Sequence, residues 1–200
     1  MDPIPLNLVF EDQLSEFVMI KLADHFNKYV IANSYSESGI GYIKRNLKGF
    51  NEASKGCPFF VLVDLDNVEC APTLMVEWLN RTTNQNLIFR VAVREVEAWL
   101  LADIDGFSEY FGIPKSLVLH NYEKILNPKE ALIQLVRRCR KRVIREDIVP
   151  KDEFAKIGPN YNGRLGDFVI NHWNIERAMF NSDSLSRAFY HLERFKTEYR

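Results

Sequence analysis

Asp64-Leu65-Asp66 follows directly on Phe59 to Val63, an uninterrupted apolar run. A run of that length, bounded by Pro58 and Asp64, reads as a strand buried on both faces. In open α/β sheets, ligands gather at the carboxyl ends of strands. Two aspartates separated by one residue there can turn their carboxylates to one side. Glu11 and Asp12 stand in the same relation to an earlier apolar run, Leu6 to Phe10. If the two strands are neighbours, Glu11, Asp64 and Asp66 converge at one edge. Carboxylates held close together raise one another's pKa unless a cation shares the site. Mg2+ or Mn2+ meets that need through hard oxygen ligands. The alternative is that these acids are solvated loop residues or helix caps.

Glu97 is a second anomaly. Within Glu95-Val96-Glu97-Ala98-Trp99-Leu100-Leu101 it aligns at helical spacing with Leu100, Leu101 and Ile104. A carboxylate on an apolar stripe needs a partner. Arg94 is the nearest candidate, a metal shell the other, and Glu95 is expected in solvent. Farther on, Arg137, Arg138, Arg140, Lys141, Arg142 and Arg145 place six basic residues in nine positions. They are candidates for phosphate-backbone contact, which would make affinity fall with salt. The other reading is a solvated helix face with cations near its C-terminus. Gly158-Pro159-Asn160-Tyr161-Asn162-Gly163-Arg164 offers backbone amides and Arg164 to a phosphate, or is an ordinary loop, and no P-loop spacing is present.

The elements that must hold these residues are legible in outline. Leu6 to Phe10, Tyr29 to Ala32, Phe59 to Val63 and Leu87 to Val93 read as strands. Between them, Leu14, Val18, Leu22 and Phe26 recur every four residues, and Gly39 to Ala53 and Pro72 to Leu79 suit helices. Strands separated by helices imply a parallel sheet with right-handed crossovers. A long helix is expected from about Arg94. After Gly112 no further strand is evident. A helix capped by Asn127-Pro128 is expected to run to about Ile144, the stretch from Val149 to Leu165 to be mostly loop, and a last helix to end near Phe195. The expected organisation is an α/β core over residues 1–112 with a helical extension over 113–200 packed on it.

Composition sets the limits. The chain has 200 residues, 46% hydrophobic and 26% charged, which suits a folded domain. Twenty-six basic against 27 acidic residues leave a net charge of −1. That excludes a uniformly basic nucleic-acid coat and a uniformly acidic surface, though not a local patch. Cys57, Cys70 and Cys139 form no Cys-x-x-Cys pair, so reduced buried thiols are expected. His25, His120, His172 and His191 show no metal-ligand spacing. Met1 to Pro5 carries no secretory pattern and no apolar run approaches a membrane span, so a cytoplasmic location is expected.

Val9-Phe10-Glu11-Asp12 and Val61-Leu62-Val63-Asp64-Leu65-Asp66, on alternating strands and helices, resemble the Toprim (topoisomerase–primase) fold. The run Arg94 to Asp103 is similar to small bacterial Toprim-related proteins, akin to the nuclease domains of overcoming-lysogenization-defect proteins. The resemblance implies metal-dependent phosphodiester hydrolysis of DNA or RNA, with an ATPase partner and a role in phage defence. It assigns Asp64 and Asp66 to Mg2+ or Mn2+, and Glu11 to acid–base chemistry or metal binding. A second metal would be held through Glu11 and Glu16, with Arg94 and Glu97 in support. Asp12 stands where the family usually has glycine, and Ser15 where its nuclease branch often has a glutamate. Asp64-Leu65-Asp66-Asn67-Val68 also resembles the haloacid-dehalogenase phosphatase motif, with Asp64 as nucleophile and Asp66 as general acid. That family's motif normally follows the first strand and is joined by a downstream lysine and paired acids; here Gly166-Asp167 lacks the second acid, with Asn171 in its place. The third reading is a non-catalytic interaction module.

Overall fold

The computed structural model describes residues 2–37, 39–79, 83–152 and 154–197. Its first half alternates β1 (Ile4–Val9), α1 (Gln13–His25), β2 (Tyr29–Tyr35), α2 (Ile40–Ala53), β3 (Phe59–Asp64), α3 (Ala71–Leu79) and β4 (Leu87–Ala92). The four strands form one all-parallel sheet in the order β2-β1-β3-β4. Helices follow: α4 (Val96–Ala102), α5 (Ile104–Phe111), α6 (Pro128–Val136), α7 (Arg142–Ile148), α8 (Tyr161–Asn171), α9 (Ile175–Met179) and α10 (Asp183–Arg194). The α/β class with a helical C-terminal part is therefore the observed one.

Strand alternation divides the core in two. Val9, Phe59, Val61, Val63, Phe89 and Val91 face α2 and α3, meeting Ile43, Leu47, Phe50, Leu74 and Trp78. Leu6, Leu8, Phe60, Leu62 and Ile88 face the other way, into a larger core with Leu14, Val18 and Leu22 of α1. That core continues through Trp99, Phe107, Phe111, Phe168 and Leu192. The C-terminal helices thus cover a face of the sheet that α1 alone leaves bare. Burying each large side chain contributes about 1.5–3 kcal/mol, so this shared core ties the two halves together.

Three segments differ from expectation. The helix expected from Arg94 breaks at Asp103 (φ −81°, ψ 73°), which ends α4 and caps α5 by accepting from the Gly106 N–H. Asp103 is fully buried and held by the Arg177 guanidinium at 2.7 and 3.0 Å. The helix expected from Asn127 to Ile144 stops at Val136. Between α6 and α7 the Cys139 thiol donates to Phe111 O, Lys141 Nζ donates to Tyr110 O, and Arg145 closes the turn onto Cys139 O. These contacts outweigh helix continuation. The expected loop before Leu165 holds the first turn of α8: a Cβ on Gly158, just before it, would press on the Asp147 carbonyl, and one on Gly163, within it, on the Asn160 side chain, so both glycines serve close packing rather than breaking the helix. A Cβ on Gly166 would lie 2.4 Å from the Phe17 ring, so α8 approaches α1 closely there. Of the three cysteines, Cys139 is buried while Cys57 and Cys70 are half-buried; all three are free.

Candidate active site

The chain leaves β1 toward β2 on one side and returns to β3 on the other, so the order of strands reverses between β1 and β3. This is the crevice where open α/β sheets receive ligands. Glu11 and Asp12 leave the end of β1, and Asp64 is the last residue of β3, whose Val61 pairs with Val9. The neighbouring strands required for convergence are present.

Each acid is placed by a local reason. Asp12 caps α1, its Oδ1 accepting from Ser15 N at 2.9 Å. Asp64 is half-buried, and its Oδ1 accepts from Val96 N at 2.9 Å, at the start of α4. Asp66 is exposed in the left-handed region at φ 48°, a conformation aspartate tolerates better than most residues. Leu65 N and Asp66 N both donate to Arg94 O, pinning the turn after β3 to the end of β4. Asp64 and Asp66 therefore do not point together: Asp64 turns under α4 and Asp66 toward solvent. Glu11 couples to both.

Burial, then the charges of Asp66 and Asp12, push the Glu11 carboxyl up to about 7, with Lys129 opposing. Its Oε1 is enclosed and accepts no hydrogen bond. Burial, then Glu97, Glu11 and Asp12, hold Asp64 well above the usual carboxylate range. Glu97 is buried and raised by its burial, against Lys129 and a hydrogen bond from the Tyr161 hydroxyl at 2.8 Å. Lys129 Nζ stands 3.5 Å from Glu97 Oε1. Burial alone would lower Lys129, but Glu97, Glu95 and Asp64 outweigh it and its pKa rises. One ammonium thus faces several carboxylates in a partly desolvated crevice.

The resident partner of Glu97 is Lys129, not the expected Arg94. Arg94 precedes α4 and directs its Nη1 to Asp66 O and Val68 O, away from the helix stripe. Glu95, expected in solvent, accepts from Lys129 N at 2.7 Å at the start of α6. Glu16 is half-buried in the first turn of α1 and is not among the principal charges acting on Glu11; Asp12 is. Lys129 and Tyr161 were missed by the sequence reading. Lysine in the first turn of a helix opposes the helix dipole, and that mismatch was a readable sign that Lys129 answers a charge elsewhere. Tyr161 carries no comparable signal.

The expected basic face is also rearranged. Its residues straddle the break between α6 and α7 rather than lining one helix. Arg142 pairs with Glu146, and Lys141 and Arg145 donate to backbone carbonyls. Arg164 is held by Asp147 at 2.6 and 3.0 Å. Arg137, Arg138 and Arg140 remain exposed and form no ion pair among the described residues.

Glu11, Asp64 and Asp66 supply the hard oxygen donors that Mg2+ or Mn2+ takes, and the unsatisfied Glu11 Oε1 is suited to a cation. Among the described residues, no three acidic, histidine or cysteine side chains are already gathered into a metal-holding group. No helix among them is long and apolar enough to cross a membrane. Comparison with curated proteins and with solved structures gives no significant match. A family model described as "Domain of unknown function (DUF4276)" matches residues 11–159, from Glu11 through the acids of β3 and α4 to beyond Lys129. That match takes in most of the chain, which belongs to this DUF4276 family.

Proposed function

We propose that this chain is a metal-dependent nuclease that hydrolyses phosphodiester bonds of DNA or RNA at the β1/β3 crevice. The observation that carries the proposal is the buried, unsatisfied Glu11 oxygen among mutually destabilised carboxylates at the strand-order reversal. Mg2+ or Mn2+ would be taken up at Glu11, with Asp64 and Asp66 turning toward it to complete the oxygen ligands, and would supply Lewis-acid polarisation of the phosphate and a more acidic water. In the metal-free protein Glu11 keeps its proton up to about neutral pH, and arrival of the cation would displace it and leave the carboxylate as a ligand. Val96 N–H fixes the Asp64 carboxylate, and Lys129 and Tyr161 hold Glu97 beneath it. Exposed Arg137, Arg138 and Arg140 provide sequence-independent attraction for a phosphate backbone. The resemblance that motivates this reading also supplies its setting: work with a partner ATPase in phage defence.

The test is cleavage of plasmid DNA, single-stranded DNA and RNA with Mg2+ or Mn2+, alone and with a candidate partner ATPase. A phosphomonoester is assayed in parallel. Asp64→Asn retains an acceptor for Val96 N–H and is expected to lower cleavage about 100-fold or more. Cleavage that survives both Asp64→Asn and Glu11→Gln would remove the assignment. Turnover of the phosphomonoester alone would transfer it to a phosphatase with Asp64 as nucleophile.

A further inference from the structure

Arg90 occupies a position that the nuclease reading does not use. It lies in the middle of β4, opposite Leu62 of β3, and so projects from the sheet face that carries Ile88 and Ala92 into the larger core. β4 is an edge strand, pairing with β3 alone among the described residues, and α10 packs against it. A guanidinium in a half-buried strand position normally meets a carboxylate. Here Arg90 Nε is enclosed and has no hydrogen-bond acceptor.

What surrounds it is more positive charge. A cleft of about 520 Å3 is lined by Arg90, Arg187, Tyr190, His191, Arg194 and Phe195. No carboxylate is among them. Burial first, and Arg187 second, push Arg90 down to about 10, so the protonated state is held against both desolvation and a like charge. Asp183 pairs with Arg187 at 2.8 Å, but both side chains are about 70% exposed and Asp183 does not line this cleft. The Arg194 guanidinium lies 5.5 Å from the centre of the Tyr190 ring, keeping an arginine and an aromatic face together at the rim.

We infer that this cleft between β4 and α10 is a seat for a phosphate-class oxyanion, contacted by Arg90 at its floor and Arg187 and Arg194 at its rim. The planar guanidinium fork matches phosphate oxygens in pairs, and an anion here satisfies the orphaned N–H while relieving cation–cation repulsion. The cleft falls within the usual size of small-ligand sites, which is ample for a phosphate with an attached sugar. Tyr190 adds a ring against which a base or sugar can pack. The chemistry is shared by a nucleic-acid backbone and by a free nucleotide or pyrophosphate. The inference does not rest on hydrolysis at the carboxylates, and binding in EDTA is a separate outcome from loss of cleavage.

The full chain is tested in EDTA by fluorescence anisotropy with labelled single-stranded DNA and RNA, and by calorimetry with inorganic pyrophosphate. Arg187→Ala/Arg194→Ala removes two exposed charges and is expected to weaken binding about tenfold or more. For single-stranded ligands it should also flatten the plot of log affinity against log salt by about 1.4. Arg45→Ala/Lys48→Ala removes the same charge from exposed positions of α2 and is expected to change affinity by less than about twofold. Arg90→Gln should weaken binding and Arg90→Lys restore part of it, with thermal melting verifying that both fold. Oligonucleotide binding that depends on these arginines supports the seat with a backbone as its source. Pyrophosphate binding alone supports it with a free phosphate as its source. The inference is overturned if neither ligand binds, or if the α10 double variant behaves like the α2 control.

Discussion

Replacing Glu11 by glutamine should stabilise the metal-free protein while removing its activity. Glu11 titrates near 7 in the folded chain against 4.5 for an unperturbed glutamate. The folded state therefore holds this proton more tightly, and stability falls as pH rises from about 4.5 through about 7. Raising the carboxyl from 4.5 to about 7 corresponds to a ceiling of about 3.4 kcal/mol. Glu11 retains some solvent contact, and screening reduces that to about 1–2 kcal/mol. Glutamine is neutral at every pH and escapes the penalty. In EDTA at pH 8.5, Glu11→Gln should melt roughly 2–8 °C above the parent protein, given about 2–4 °C per kcal/mol for a chain of this size. At pH 5 most of that gap should close. Adding Mg2+ at pH 8.5 should raise the parent Tm more than that of the variant, because a bound cation stabilises the carboxylate form. A variant that melts at or below the parent at pH 8.5 would refute the reasoning. So would a gap of equal size at both pH values, since it would owe nothing to ionisation.

Lys129→Met leaves Glu97 buried beside Tyr161 without its cation, and should cost about 3 kcal/mol at pH 8. Urea denaturation should show a smaller loss at pH 5.5, where Glu97 takes up a proton more readily; an equal loss would argue that packing, not charge, is what Lys129 provides. Gly166→Ala places a methyl 2.4 Å from the Phe17 ring and should lower the urea midpoint by the equivalent of about 1–3 kcal/mol through separation of α8 from α1. Arg177→Ala removes the fork that holds fully buried Asp103, and should lower stability by about 3 kcal/mol in the same measurement.

The sheet was legible because its determinants are local. Phe59 to Val63 is apolar without interruption, and the spacing of Leu14, Val18 and Leu22 selects the face of α1 that covers the core. Glu11 and Asp64 were legible for the same reason, since each lies at the end of its strand. The partners of Glu97 were not. Lys129 reaches it because α6 docks its first turn onto Glu95, and Tyr161 because α8 packs on α1. Both depend on tertiary contacts between segments far apart in sequence. The break between α6 and α7 was hidden likewise: the Cys139 thiol and Lys141 ammonium leave the helical pattern for carbonyls on α5. Arg90 reads as a single polar residue in an apolar strand, and only the packing of α10 against β4 gives it Arg187 and Arg194 as neighbours.

The pairing of Glu97 with Tyr161 spans 64 residues of chain. A ribosome adding about 5–20 residues per second emits Glu97 some 3–13 seconds before Tyr161, with Lys129 in between. Until Lys129 follows, the nascent sheet and α4 carry Asp64 and Glu97 with no cation to answer their charge, so the carboxyl end of the sheet stays open to water or holds its acids protonated. The crevice closes only when the helical half arrives. Order of synthesis thereby makes the candidate site among the last parts of the molecule to assemble, and the sheet a template that waits for it.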